Sequence, residues 1–483
     1  MWLSLLAVAL IVVGFTHWVY RWRNPKCKGL LPPGSMGLPI IGESIGYFSS
    51  HPLEGIPPFI QERTARYGKI FKTSLVGHPV VVSADPEVNY YVFQQEEVLF
   101  QCWYTKSAIE LTGKDGFLDN KGTVHKYLRN LVLSLVGPDK LKHNHISEID
   151  LNIRKHLHRW AGRGEVDVKE ASEIMLITFM AEKILECNEE KALELREQYR
   201  AFMGGFVCFP INLPGTAYHA SLQGRKNAMK MIKDIVKERK RSKEKRNKQD
   251  FLDHLLCEVA NKETILTEEN ALNTIFAVLF AAFETTSAAI ALGLKFLNDH
   301  PQVLPQLMEE HENIVKNRED KEAAISWTEY KSMPFTHKVV NEIVRLANIV
   351  PGIFRKVLKD VKIKGFTIPA GWIVVVCPPS VHLDSNNYED PYVFNPWRWK
   401  EEELHSVSKK FMAFGGGLRL CAGADLAKLQ ISIFLHYLVT KYRWRMKKEG
   451  NIVRTPGLYF LDGLHIHISE SERNKEDQNQ FIS

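Results

Sequence analysis

A chain of 483 residues with 45% hydrophobic side chains can bury a sizeable core, and its formal net charge of +7 is modest. Seven cysteines at wide, irregular spacing exclude a disulfide framework and fit a reducing, cytosol-facing compartment. Much of the positive charge crowds into 233–248, where Lys237, Arg239, Lys240, Arg241, Lys243, Lys245, Arg246 and Lys248 read as a solvated helix end or a membrane-attracted surface; without stacking aromatics among them, nucleic acid is excluded as a partner.

The first element is the apolar run 2–20, long enough to cross a bilayer, edged by Trp18, Tyr20 and Trp22 and followed by Arg21, Arg23, Lys26 and Lys28. The charge excess after the run places its C-terminal side in the cytosol. A cleaved signal peptide is the competing reading, but here positive charge follows the apolar run and no small-x-small site interrupts it. The proline-punctuated stretch 31–39 is a stiff connector. Length alone would suggest about three domains, yet no low-complexity tract, repeat or linker divides the remainder. The expected organisation is an anchor over 1–22, a basic and proline-rich linker over 23–42, and one large domain over 43–483.

Within that domain strand-like runs are short: 70–75 with 79–83, then 372–377, and finally 465–468. Long helical patterns dominate the middle and the C-terminal half, so the class is mainly α with a small peripheral β-sheet. The apolar run 267–299 carries Glu284 and Thr285 near its centre. An acid and a hydroxyl are costly in such a helix unless each has a partner. They suit a proton relay, or alternatively Thr285 bonds back to a carbonyl one turn earlier while Glu284 reaches an ion pair. Glu342 and Arg345 stand at i, i+3 spacing within 338–346, which by itself is an ordinary solvated ion pair.

The stretch 414–423, Phe-Gly-Gly-Gly-Leu-Arg-Leu-Cys-Ala-Gly, places Cys421 between a glycine turn and the start of an amphipathic helix over 424–437. The positive end of a helix favours anionic sulfur, so Cys421 can be a thiolate metal ligand. Glycines let backbone pass close to a flat cofactor. A lone cysteine after glycines is also, more plainly, a packed residue behind a turn.

The stretch resembles the haem-binding loop of the cytochrome P450 family, Phe-x-x-Gly-x-Arg-x-Cys-x-Gly, at every fixed position: Phe414, Gly417, Arg419, Cys421 and Gly423. Ala281-Ala282-Phe283-Glu284-Thr285-Thr286, Glu342-Ile343-Val344-Arg345 and Phe394-Asn395-Pro396-Trp397-Arg398 are similar to further motifs of that family, in the same order. The resemblance implies haem b (iron protoporphyrin IX) ligated by Cys421, and a central helix whose Glu284 and Thr285 deliver protons to the oxygen being activated. Ala282 replaces the usual glycine, which narrows the groove that admits O2. By the same resemblance Glu342, Arg345 and Arg398 form a buried triad that braces the cysteine loop. His125 and Arg129, in a segment where the family often has Trp-x-x-x-Arg, join Arg355 and Arg419 as candidates to hold the haem propionates; for His125 an exposed helical position is the alternative.

The resemblance also implies a microsomal enzyme of the endoplasmic reticulum membrane, its domain cytosolic and its anchor in membrane lipid. Electrons would come from NADPH through NADPH-cytochrome P450 reductase, docked at a face that Lys126, Arg129, Lys410 and Lys428 surround. The segments expected to line the pocket, 101–116, 201–214, Phe276, Phe280 and Ala281, the turn 350–354, and 458–461, are apolar and imply a bulky apolar substrate. Textures such as Phe-x-Pro-Trp-Arg-Trp resemble the plant branch acting on sterols, brassinosteroids and triterpenoids, and 451–463 resembles family 87. The expected enzyme is therefore a haem-thiolate monooxygenase inserting oxygen into a sterol or triterpenoid. A haem-thiolate isomerase or dehydratase that uses no O2, and a membrane haem- or sterol-binding protein without catalysis, are the alternatives.

Overall fold

The structure is a computed structural model that describes residues 2–114, 116, 119–206, 208–241, 251–261, 264–400, 409–455 and 457–471. Lys243, Lys245, Arg246 and Lys248 of the basic run lie outside the described residues. The elements that build the site are, in chain order, α1 (Trp2–Arg23), β1 (Ile70–Leu75), β2 (His78–Ser83), α2 (Pro86–Gln94), β3 (Phe100–Cys102), α3 (Lys106–Thr112), α4 (Gly122–Val136), α5 (Val168–Leu185), α6 (Glu189–Met203), α7 (Ala217–Arg241), α8 (Glu268–Asp299), α9 (Pro334–Ala347), β4 (Ile353–Val357), β5 (Ile373–Val376), α10 (Ala424–Lys441), β6 (Tyr442–Lys448) and β7 (His465–Glu470).

Among the described residues two helices are long and apolar enough to cross a membrane, and burial tells them apart. The apolar window of α1 is 0% buried, whereas that of α8 is 67% buried. Helix α8 begins where Thr267 Oγ1 accepts the Asn270 N–H at 3.1 Å, with Glu268 and Glu269 in the first turn against the helix dipole. At 1.5 Å per residue its 32 residues run about 48 Å. It packs along α5 and also meets α7, α9 and α10, so it is the axis on which the helical layers converge.

The main sheet has the order β1-β2-β5-β4-β3, with β2 and β5 parallel and the other pairs antiparallel. Val81, Val374 and Val376 pack with Val92 and Phe93 on one side, while Val80, Val82, Ile373 and Val375 pack with Phe59, Ile60 and Phe71 on the other. A strand buried on both faces reads as an unbroken apolar run, which is why Pro-Val-Val-Val and Ile-Val-Val-Val stand out in the sequence. The 350–354 turn expected from sequence is corrected in part: Ile353 and Phe354 belong to β4, because β3 and β5 pair with it from either side. A second sheet joins β6, β7 and Glu165–Asp167, and two smaller ones complete the periphery.

Candidate active site

The cysteine loop is pressed against α2. Gly417 has φ +62°, and a Cβ there would stand 2.1 Å from the Phe93 carbonyl oxygen, so only glycine permits both the turn and the approach. The Cys421 N–H donates to Phe414 O at 3.0 Å and closes the loop just before α10. Cys421 is solvent-accessible. Surrounding protein nevertheless pushes its thiol up, while the Gly423 N–H and the Arg129 charge pull it the other way. A Cβ built on Gly423, two residues beyond the cysteine, meets nothing within 4 Å, so the loop borders open space there.

On α8, Ala281 and Thr285 are exposed although the residues around them are mostly buried. An accessible stripe one turn apart on the buried axis of the fold marks an internal opening. Between α6 and α8, Phe202, Phe206, Phe276 and Phe280 form an aromatic cluster with ring centroids 4.9–5.9 Å apart, joined by Tyr199; Phe202, Phe276 and Tyr199 are buried, while Phe206 and Phe280 keep accessible surface. Thr285 Oγ1 donates back to Ala281 O at 3.0 Å, and Glu284 Oε1 accepts from Lys169 Nζ at 3.0 Å. The two side chains thus each take the partner that the alternative sequence reading named. Lys169, from α5, also donates to Glu173, which accepts from Arg196 Nε at 2.9 Å. Burial opposes ionisation of Glu173, but Lys169 and Arg196 outweigh it and hold the carboxyl below the usual range. Arg196 ends on the more exposed Glu170 and Glu197, so charged groups run without a break from Glu284 to the surface.

The four cationic candidates gather around the same loop. Arg129 Nη1 donates to Leu420 O. Arg419 Nη2 donates to Asn120 O at 2.6 Å, and Arg355 Nη1 donates to Phe354 O at 2.9 Å. His125 is 3% exposed, which corrects the exposed alternative; burial, with the Arg419 and Arg129 charges, brings it down to about 4, so it is a neutral ring. Sequence reasoning missed Glu96, which pairs with both Arg355 and Arg419. It also missed Lys169 and Tyr104, whose buried phenol lies near Cys102 and the same two arginines. Of the four expected docking charges, Lys126 and Lys410 are exposed. Arg129 is turned into the loop, and Lys428 is half-buried with Nζ 5.6 Å from the Phe414 ring centre.

Beneath the loop Glu342, Arg345 and Arg398 come together. Arg345 Nε and Nη2 donate to the two oxygens of Glu342 at 2.9 and 2.7 Å, and Arg398 Nε donates to Oε1 at 3.0 Å. Trp399 Nε1 and the Asn395 N–H each add a bond at 3.0 Å. Arg345 Nη1 donates to His382 O and Pro391 O, both at 2.7 Å, and Nη2 to Val393 O at 3.4 Å, tying α9 to the segment before the loop.

An accessible cysteine at a helix start, in a loop that borders open space and is ringed by arginines and a neutral histidine, fits a flat dianionic cofactor held by thiolate. The comparisons define the class as haem-dependent monooxygenases. The sequence matches the Cytochrome P450 family over residues 32–461. It is 51% identical over 455 residues to cytochrome P450 87A3 of Oryza sativa subsp. japonica, covering 94% of this chain and 88% of that protein. It is 40% identical to the beta-amyrin 16-alpha-hydroxylase CYP87D16 of Maesa lanceolata and to the cucurbitadienol 11-hydroxylase of Siraitia grosvenorii, covering in both cases 98% of this chain and 100% of the relative. Among solved structures, the retinoic acid bound cyanobacterial CYP120A1 matches with TM-score 0.81 and 25% identity over 92% of this chain and 100% of that chain. The chain belongs to the cytochrome P450 family, whose members bind haem b, and it is a monooxygenase.

Proposed function

We propose that this enzyme hydroxylates a sterol or triterpenoid skeleton, drawing electrons from NADPH through a separate reductase. The observation that carries the substrate class is the accessible stripe of Ala281 and Thr285 on the largely apolar α8, with the partly accessible Phe280 and Phe206 nearby, surfaces suited to a bulky apolar scaffold. Relatives whose names specify beta-amyrin, cucurbitadienol and cholesterol support it. Incubating the protein and a reductase with a panel of sterols and triterpenes should give a substrate difference spectrum and a hydroxylated product for members of that panel. Turnover confined to small or charged compounds would refute the assignment.

Held by a cysteine thiolate, haem supplies oxygen activation, because sulfur electron density favours O–O cleavage. In this reading the Cys421 thiolate would hold the haem iron, with Phe414 and Gly423 shaping the loop around it. Arg129, Arg355, Arg419 and the neutral His125 hold the propionates. Thr285 and Glu284 move protons toward the oxygen, and the Lys169–Glu173–Arg196 network resupplies Glu284 from the surface. Thr285 would release its bond to Ala281 O to donate, and Glu284 would exchange Lys169 for a water. Thr285→Ala is then expected to keep wild-type haem content while product formed per NADPH falls, by up to the hundred- to ten-thousand-fold span of roughly 10²–10⁴ typical of general acid-base assistance. Hydrogen peroxide should account for the lost electrons. An unchanged product-to-NADPH ratio would place the relay elsewhere.

Residues 1–22 anchor the chain in the endoplasmic reticulum membrane, 23–42 link, and 43–483 form the catalytic domain on the cytosolic side, an arrangement that the exposure of α1 and the basic residues after it support. An acidic reductase would be steered to the exposed Lys126 and Lys410. Reversing both to glutamate should slow electron transfer more at low salt than at high salt, where screening weakens the wild-type advantage. Equal rates for variant and wild type across salt would remove this docking face.

A further inference from the structure

Glu96 follows α2 and is 3% exposed, yet nothing above gives it a task. Its Oε1 accepts the Cys102 N–H at 2.8 Å and lies 3.3 Å from Arg419 Nε; its Oε2 accepts from Arg355 Nε. A single carboxylate therefore joins two guanidiniums that come from β4 and from the cysteine loop. The Arg419 Nε contact lacks the angle of a hydrogen bond, so it is held there by charge. Arg355 Nη2 and Arg419 Nη1 donate to nothing among the described residues and remain available beyond the Glu96 contact.

We propose that Glu96 is a positioning residue for the haem carboxylates, aiming the free ends of Arg355 and Arg419 at them and setting the charge balance of their pocket. The proposal rests on the reading that those arginines hold the propionates. Three guanidinium charges, from Arg129, Arg355 and Arg419, would face two propionates, and Glu96 brings the sum to neutrality. Without Glu96 one cationic charge is left over beside the cofactor. Ferric haem carries one more positive charge than ferrous haem, so an uncompensated cation in a water-poor site favours the reduced form. Glu96 thereby keeps the midpoint potential lower than the arginines alone would set it.

The test is spectroelectrochemical titration of the haem-loaded protein, with haem release to apomyoglobin as a second readout. Glu96→Gln keeps an oxygen for the Cys102 N–H but loses the charge, and its midpoint potential should shift positive. Glu96→Asp keeps the charge but is too short to hold both guanidiniums, so its potential should stay near wild type while haem release accelerates several-fold. Arg355→Gln and Arg419→Gln should shift the potential in the negative direction. A wild-type potential in Glu96→Gln, or wild-type release in Glu96→Asp, would overturn the proposal if the arginine variants do shift. If the arginine variants leave both readouts unmoved, the propionate reading itself fails. Should Glu96→Gln load too little haem to titrate, Glu96→Asp decides through release alone.

Discussion

Replacing Cys421 by histidine or serine is expected to abolish both the long-wavelength absorption of the reduced carbon monoxide complex and monooxygenase turnover. The other cysteines offer no substitute. Cys102, Cys187 and Cys377 are buried away from any accessible surface. Cys27 and Cys208 are only partly accessible, and Cys257, though exposed, stands within the 251–260 helix with no glycine turn before it. Cys421 alone combines accessibility, a following N–H from Gly423, and a loop that borders open space. Histidine at 421 keeps a ligand for iron but withdraws the thiolate, so its loss of the band separates ligation by sulfur from mere retention of haem. A Cys421→Ser protein with the wild-type spectrum would show that another residue binds the iron.

Glu342→Ala should yield a protein that folds poorly and carries little or no haem. Glu342 is fully buried and accepts from Arg345, Arg398, Trp399 and the Asn395 N–H. Its removal leaves two guanidiniums with no counter-charge, facing backbone carbonyls and the Tyr388 ring. Breaking such a buried ion network typically costs about 3–5 kcal/mol, a large share of the roughly 5–15 kcal/mol that holds a domain together. The damage should reach the cysteine loop, because Arg345 and Arg398 also fix the carbonyls of His382, Glu389, Asp390 and Pro391 ahead of it. Thermal unfolding followed by circular dichroism, together with haem stoichiometry, checks this. Full haem content and an unchanged melting temperature in Glu342→Ala would show that the network is dispensable.

What could be read from the sequence follows the range of each interaction. Cys421 and its glycines lie in one ten-residue stretch, and Glu342 and Arg345 share one helical turn, so local spacing singled them out, while their roles came from the resemblance. The long apolar helix was legible from the apolar run 267–299. Glu96 and Lys169 were not, because each acquires its meaning from partners more than a hundred residues away: Glu96 from Arg355 and Arg419, Lys169 from Glu284. Neither carries a local signature, since a glutamate after a short helix and a lysine at a helix start ordinarily face water. Strand β4 escaped for a related reason: its neighbours β3 and β5 come from distant parts of the chain, and pairing with them overrides a Pro-Gly start that locally reads as a turn. Nor does the sequence show that Lys428 is half-buried with its ammonium 5.6 Å from the Phe414 ring centre.

The position of Glu284 bears on how the chain is made as well as on what it does. Helix α8 leaves the ribosome before α9 and α10 exist to cover it, and by length and composition it could be taken for a second membrane span. Glu284 falls near its midpoint, where an ionised side chain costs insertion roughly 2.5–3.5 kcal/mol. Helix α1 has no such residue at its centre. If α1 inserts as proposed, the carboxylate in the middle of the second apolar segment biases that segment toward staying with the folding domain.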